Sequence, residues 1–389
     1  MLDFVFQSPT KIFFGKGAEL KIGSVLKEAG HQKVLLHYGK SSIFQNGLYD
    51  RLMDSLTSAG LEVYPLGGVE ANPKIGLVRT GVALVKKEHI DVIVACGGGS
   101  VIDSAKLIGV ASLTDVDPWD YSMHKEVATK TLDLACVLTI SAAGSELSNS
   151  CVISNPENNL KRGFNSEAIR PKWAFLNPEH TYSVSKYQTA CGVIDILMHT
   201  FERYLTYDDA PLTRRIADGL IKTVIEQGQI CYQEPTNYDA RANIMLASSL
   251  SHNGLTGLGI KMFFTVHKLE HEVSGFYESV AHGAGLAVLF PIWAREMLPN
   301  HAKLFSDFAV NAIGIKDTGN EIQNGTLAID YLSNYFASLG MPKDLRSFGI
   351  KKEDLPKMAL SATQNGNALV FGITDLKYED VLAIYEKAY

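Results

Sequence analysis

Five residues in the second half of the chain have the types and spacing to hold a divalent cation: Asp195, His199, His267, His271 and His282. Asp195 and His199 stand four apart in VIDILMHTFERY, and His267 and His271 stand four apart in TVHKLEHEV. Side chains four apart share one helix face, a turn apart, so each pair can aim two ligands at one point. His282 opens a glycine-rich turn, AHGAGLA, and can close the cage. One carboxylate with up to four imidazoles suits a divalent metal. Asp195 lies in an apolar run, where a carboxylate is costly to bury unless it is paired or metal-bound. A structural Asp195–His199 pair is the plain alternative. The pattern gives Asp195, His199, His267 and His282 as four ligands and leaves His271, one turn along, free to handle protons. HKLEH also spells H-x-x-E-H, the inverted zincin helix, so a zinc peptidase with Glu270 as general base is a second reading.

The first half offers a place for a phosphorylated cofactor. A buried-type strand, DVIVACGGG, ends in Gly97, Gly98 and Gly99, and a helix follows. Consecutive glycines allow close backbone approach, and a helix start presents N–H groups to phosphate. Ser100 is placed to cap that helix, with Asp103 three residues on as the capping-box acid. Asp103 can instead touch the ribose or amide end of a cofactor. Neither GxGxxG nor GxxxxGK[ST] occurs. A polar loop, TISAAGSELSNSCV (139–152), can line phosphate or ribose, or serve as ordinary turn chemistry. NPENNLKRGF (155–164) supplies Lys161 and Arg162, one of which can reach a pyrophosphate; a solvated basic turn is the plain alternative. Gly39, Lys40, Ser41 and Ser42 occupy the place after the first strand where NAD-selective folds set an acid. The absence of a carboxylate there leans toward tolerance of NADP. A metal beside a dinucleotide suggests redox chemistry on an alcohol or carbonyl.

The elements that position these residues change character near residue 180. Strand-like runs at 33–39, 61–68, 91–99 and 133–140 alternate with helical stretches at 46–60 and 73–88. That alternation indicates a parallel sheet covered on both faces. Beyond about 183 apolar residues recur every three or four positions, the mark of helices. The reading is therefore α/β plus all-α: a Rossmann-like domain over 1–182, then a helical metal-binding domain over 183–389, with a site expected in the cleft between them. A net charge of −6 argues against nucleic acid or an anionic membrane as partner. No secretory leader and no 18-residue apolar run is found. The five cysteines are scattered and contain no CxxC, which suggests reduced thiols in a cytoplasmic protein.

The chain resembles the iron-containing (group III) alcohol dehydrogenases, in their butanol dehydrogenase-like branch. The segments that carry the resemblance span most of the length. They are YGKSSIFQNGLYDRL (38–52), CGGGSVIDSAKLI (96–108), AAGSE (142–146), NPENNLKRGF (155–164), GVIDILMHTFERY (192–204), SHNGLTGLG (251–259), HKLEHEVSG (267–275) and AHGAGLAVLFPIW (281–293). The resemblance implies a dehydroquinate synthase-like fold, with an NAD(P)-binding α/β domain before a helical one. It implies a divalent metal, Fe2+ or Zn2+, on Asp195, His199, His267 and His282, with His271 near the nicotinamide. It places the cofactor on Gly98, Gly99, Ser100, Asp103 and Lys161, with Thr139 and Ser145 in lining loops and Tyr182 at the cleft. Gly39 and Ser42 complete the expected cofactor set. The stretch between His271 and His282 is one residue longer than the family pattern, and a small bulge in GFYESVAH is expected to absorb it. The implied activity is hydride transfer between NAD(P)(H) and a primary alcohol or aldehyde such as butanol or butanal, by a homodimer. A cofactor-binding protein without catalysis is the remaining alternative.

Overall fold

Nearly continuous apolar runs separated by helices dictate a sheet buried on both faces, and the structure, a computed structural model describing residues 1–389, contains one. Eight strands form: β1 (Lys11–Phe14), β2 (Lys33–Tyr38), β3 (Glu62–Leu66), β4 (Val92–Gly97), β5 (Asp133–Leu138), β6 (Ser150–Asn155), β7 (Leu160–Asn165) and β8 (Trp173–Leu176). Six make one parallel sheet in the order β1-β8-β5-β4-β2-β3. β4, buried at every residue, lies inside it. Helices α1 (Ile22–Glu28), α2 (Ser42–Gln45), α3 (Leu48–Ser58), α4 (Ile75–Glu88), α5 (Gly99–Ala111) and α6 (Pro118–Ser122) fill the connections. The chain runs outward from β2 to β3, then returns to β4 on the other side of β2. The loops after β2 and β4 therefore diverge, which opens a crevice at the carboxyl ends of these strands.

β6 and β7 pair antiparallel as a separate hairpin. The alternative of a solvated basic turn over 155–164 does not hold: only the tip turns, Lys161 and Arg162 lie in β7, and Lys161 is buried. The short strands β1 and β8 escape a period-based reading because four residues show no period.

From residue 184 the chain is helical: α7 (Lys186–Tyr204), α8 (Pro211–Gln233), α9 (Tyr238–His252), α10 (Thr265–Phe276), α11 (His282–Met297), α12 (Ala302–Phe308), α13 (Glu321–Ser338), α14 (Leu355–Ala362) and α15 (Tyr378–Ala388). Two compact units result, Gln7–Ser183 and Val184–Tyr389 together with Met1–Phe6. The sequence reading assigns those first six residues to the first half. They group with the helical unit, where the Leu2 amide donates to the Gly259 carbonyl at 2.8 Å. No helix is long and apolar enough to cross a membrane.

α7 is the axis of the helical unit. Every residue from Thr189 to Tyr204 is buried, with α8, α9, α10 and α11 packed around it. A helix enclosed on all sides should be apolar all round. Its polar residues, Asp195, His199, Thr200, Glu202 and Arg203, therefore each need a specific partner.

Candidate functional site

Three helices bring the candidate ligands together. Asp195 Oδ1 lies 3.5 Å from His267 Nε2 and 3.7 Å from both His199 Nε2 and His282 Nε2. Donors around a tetrahedral ion at ~2.0–2.2 Å stand roughly 3.3–3.6 Å apart, a range that the Asp195–His267 spacing meets and the two 3.7 Å spacings slightly exceed. The donor atoms of Asp195, His267 and His282 all lie within 4.8 Å of one another, whereas His199 joins through Asp195 and is outside that closest group. Asp195 Oδ1 and His267 Nε2 are buried without a hydrogen bond. Such atoms cost about 1–3 kcal/mol each unless something satisfies them. A cation between them would do so, and the donor set of one carboxylate and imidazoles suits it.

The helices are held close by a glycine. A Cβ on Gly283 would fall 2.1 Å from the Cys191 carbonyl oxygen, so only glycine lets the start of α11 press on α7 one turn before Asp195. His282 thus comes within reach of Asp195. His282 keeps 25% of its side chain exposed, against 6–7% for Asp195, His199 and His267, so the cluster opens on that side. His271 stands there too, half-buried, its ring 5.3 Å from that of His282.

Two carboxylates that the sequence reading did not assign to the metal support this cluster. His267 Nδ1 pairs with Glu202, and His282 Nδ1 pairs with Glu270. Glu202 also accepts the Val266 amide at 2.6 Å. Such partners fix ring orientation and leave Nε2 to face an ion. The legible signal is H-x-x-E, which occurs twice: His199 with Glu202 and His267 with Glu270. Each Glu serves a histidine of another helix, not the one in its own motif. Nothing supports the peptidase reading: His267 groups with Asp195 and His282, His271 with Glu270 and His282, and no group joins both helix histidines to Glu270.

The charges are set by the same contacts. Burial holds His199 well below the ordinary histidine range, and His252, His267, Arg203 and His282 push the same way. Burial acts downward on His267 as well, but Glu202 and Asp195 outweigh it and raise it to about 9.

In the other unit, neighbouring strand ends line up the cofactor candidates. Tyr38 is in register with Cys96, and Gly97 with Leu138, which sets Gly39, Gly98–Ser100 and Thr139 side by side. The Gly39 carbonyl accepts from Gly68, Ser42 opens α2, and the Thr139 amide donates to Gly97. α5 starts at Gly99 with Gly98 as its cap. A Cβ on Gly98 would lie 2.2 Å from Ile140 Cγ2, a close approach that requires glycine. The expected capping box is absent. Ser100 lies inside the helix, and the Asp103 carboxylate instead accepts from the Ser145 hydroxyl (2.5 Å) and the Val152 amide (2.9 Å). The β6 strand and loop 141–149 outcompete the helix end for that carboxylate.

The network continues through the fully buried Lys106, which donates to Ser145 Oγ, both Ser148 oxygens and the Ser150 carbonyl. Lys106 stands three residues after Asp103, a spacing the sequence showed but the reading passed over. Burial raises the Asp103 carboxyl, against Lys106, Ser145, Val152 and the buried Lys161. Tyr182 follows the Pro178–Thr181 turn, its amide bonded to Glu179 at 3.2 Å. Beyond β2 the structure does supply a carboxylate: Glu70 pairs with Lys40 at 2.7 Å. It comes from the loop after β3, which runs alongside because β2 and β3 are parallel. All five cysteines are buried and form no disulfide.

Comparison with known proteins agrees over the full length. Residues 9–178 match the family model for iron-containing alcohol dehydrogenase, and residues 189–389 match that for the C-terminal part of the Fe-containing alcohol dehydrogenase family. The chain is 40% identical to NADH-dependent butanol dehydrogenase A of Clostridium acetobutylicum, over 100% of both chains. It is 33% identical to the NADPH-dependent aldehyde reductase YqhD of Escherichia coli, again over 100% of both. The crystal structure of NADH-dependent butanol dehydrogenase A from Thermotoga maritima superimposes with a TM-score of 0.95 at 34% identity, covering 100% of this chain and 99% of that one.

Proposed function

This chain belongs to the iron-containing alcohol dehydrogenase family, an NAD(P)(H)-dependent alcohol and aldehyde oxidoreductase, and on that premise we propose that it interconverts a primary alcohol and its aldehyde, such as butanol and butanal, at the Asp195 cluster. The observation that carries this is the pair of orphaned buried atoms, Asp195 Oδ1 and His267 Nε2, facing each other with His199 and His282 beside them. Asp195, His199, His267 and His282 would hold Fe2+ or Zn2+, which when bound would supply Lewis-acid polarisation of the substrate oxygen, as a bound nicotinamide would supply hydride transfer. Glu202 and Glu270 orient His267 and His282. His271, at the open side, moves the proton that leaves or joins the substrate oxygen, the role that an imidazole fills near neutral pH.

Gly98, Gly99 and Ser100 take the pyrophosphate on the start of α5, where backbone N–H groups point outward. Asp103 and Lys161 stand behind that turn, with Ser145 holding Asp103 in place. Gly39, Ser42, Thr139 and Tyr182 line the remainder. The Glu70 carboxylate beside Lys40 supports use of NADH, while Lys40 itself favours tolerance of NADPH. The protomers pair as homodimers; the support is that β1 is an edge strand with Ile12 and Phe14 exposed, a template for pairing. Five buried, unbridged thiols support a cytoplasmic setting.

The test is metal analysis of the purified chain together with loss of NADH or NADPH absorbance on adding butanal, after loading with Fe2+, Zn2+ or Co2+. Metal-dependent consumption of reduced cofactor is expected. Consumption that is absent with every ion would overturn the reading.

A further inference from the structure

The three imidazoles facing Asp195 are not held by one device. His267 and His282 each direct Nδ1 at a buried carboxylate, Glu202 and Glu270. His199 has no counterpart, and its Nδ1 is buried without a hydrogen bond. Rings hold it instead. His267 stacks on it at 4.6 Å and 13°, and the His252 ring lies closer still, at 4.1 Å and 38°. Phe264 adds an edge at 6.2 Å.

His252 is itself fixed. It is the last residue of α9, and its Nδ1 accepts from Arg203 Nη2 at 3.0 Å. A guanidinium only donates, so this bond sets the tautomer, with the His252 proton on Nε2. Arg203 is buried, and its Nη1 donates to the His199 carbonyl (2.6 Å) and the Ser251 carbonyl (2.8 Å). Its guanidinium also covers the Phe264 ring at 4.6 Å. One planar cation thus ties the backbone of α7 at His199 to the end of α9, and places the neighbouring ring against the His199 imidazole.

We propose that His252, pinned by Arg203, is a positioning residue for His199, setting by ring contact the orientation that carboxylates set for the other two histidines. The inference rests on the reading of His199 as a metal ligand. It predicts that this ligand's geometry depends on a residue 53 positions away.

The experiment uses the full chain, stripped of metal, and Co2+ as the probe in the absence of cofactor and substrate. His252→Leu removes the ring; His252→Phe keeps a ring but cannot accept from Arg203. Co2+ affinity is expected to fall roughly 10–100-fold in His252→Leu, the usual effect of removing a partner behind a ligand. Its visible absorption bands should shift, and His252→Phe should fall between that variant and wild type. The metal-free variants should keep the wild-type circular dichroism spectrum. Wild-type affinity and bands in both folded variants overturn the inference. Weakened binding that tracks loss of helix signal in both metal-free variants overturns it as well, because His252 then serves only the fold. His199→Ala separates the two readings. If that variant binds Co2+ with unchanged affinity and bands, His199 is not a ligand and the reading beneath has failed. If it loses Co2+ while both His252 variants match wild type, only the positioning role has failed.

Discussion

The crevice at the ends of β2, β4 and β5 and the cluster around Asp195 are built in opposite ways. The crevice is made of backbone: diverging loops, a helix start capped by Gly98, and a turn that a Cβ would block. The cluster is made of side chains from three helices, two of its imidazoles paired with buried carboxylates. The first tolerates many residues around it but not added bulk at its glycines. The second is expected to fail on any change in the proposed ligands and to depend as well on the carboxylates behind them.

This contrast can be broken by experiment. His267→Ala should have the largest effect, with loss of both bound metal and turnover. The ion's contribution of several kcal/mol corresponds to a fall in rate of ~10³-fold or more. Full metal occupancy with full activity in that variant would refute the ligand assignment. His271→Ala should keep metal stoichiometry and lose about 10²–10⁴-fold in rate, the usual worth of a proton-handling group. An empty site, read by metal analysis, would make His271 a ligand.

Gly98→Ala tests the backbone side. Its Cβ must displace Ile140, an overpacking strain of ~1–3 kcal/mol. The KM for cofactor should rise and the melting temperature fall while metal content stays at the wild-type level. Metal loss in this variant would dissolve the distinction between the two regions.

The smallest effect is expected at Glu19, a side-chain network inside the sheet unit. Burial opposes its ionised form, but His180, its own backbone amide and Asn177 hold it down to about 2. A carboxyl depressed in the folded state stabilises above its unfolded value near 4.5, and the contribution is lost as pH falls toward 2. The melting-temperature gap between wild type and Glu19→Gln should be constant above pH 5 and close below it. A gap that keeps its full size at pH 2.5 would show that packing, not charge, is responsible.

Most of the fold was legible because long periodic segments report it directly. The runs at 33–39 and 91–99 became β2 and β4, and the helical pattern after residue 183 became α7 to α15. The hairpin β6–β7 was hidden by its composition: NPENNLKRGF is polar enough to read as a turn, and pairing with 150–155 is a long-range fact. The cluster was legible because ligands of one helix keep a four-residue spacing. Its support was not. Glu202 stands in the His199 motif but faces His267, and His252 meets His199 only because α9 packs on α7. Spacing along a chain reports what shares a helix face, and these contacts cross between helices. The capping box failed for a related reason: Ser145 and Val152, more than forty residues on, claimed Asp103.

The offset of the two H-x-x-E motifs bears on how the protein is made. Within α7 the motif's own Glu202 is not the partner of His199, and within α10 Glu270 is not the partner of His267. An isolated helix therefore holds no finished half-site, however well formed it is. Docking α10 on α7 orients His267, and docking α11 on both supplies an oriented His282. Tight metal capture at the proposed site would then lag behind helix formation and report the last of these docking steps. Metal added early would meet a chain with the right residues and no coordination site, and metal added late would lock three helices at once.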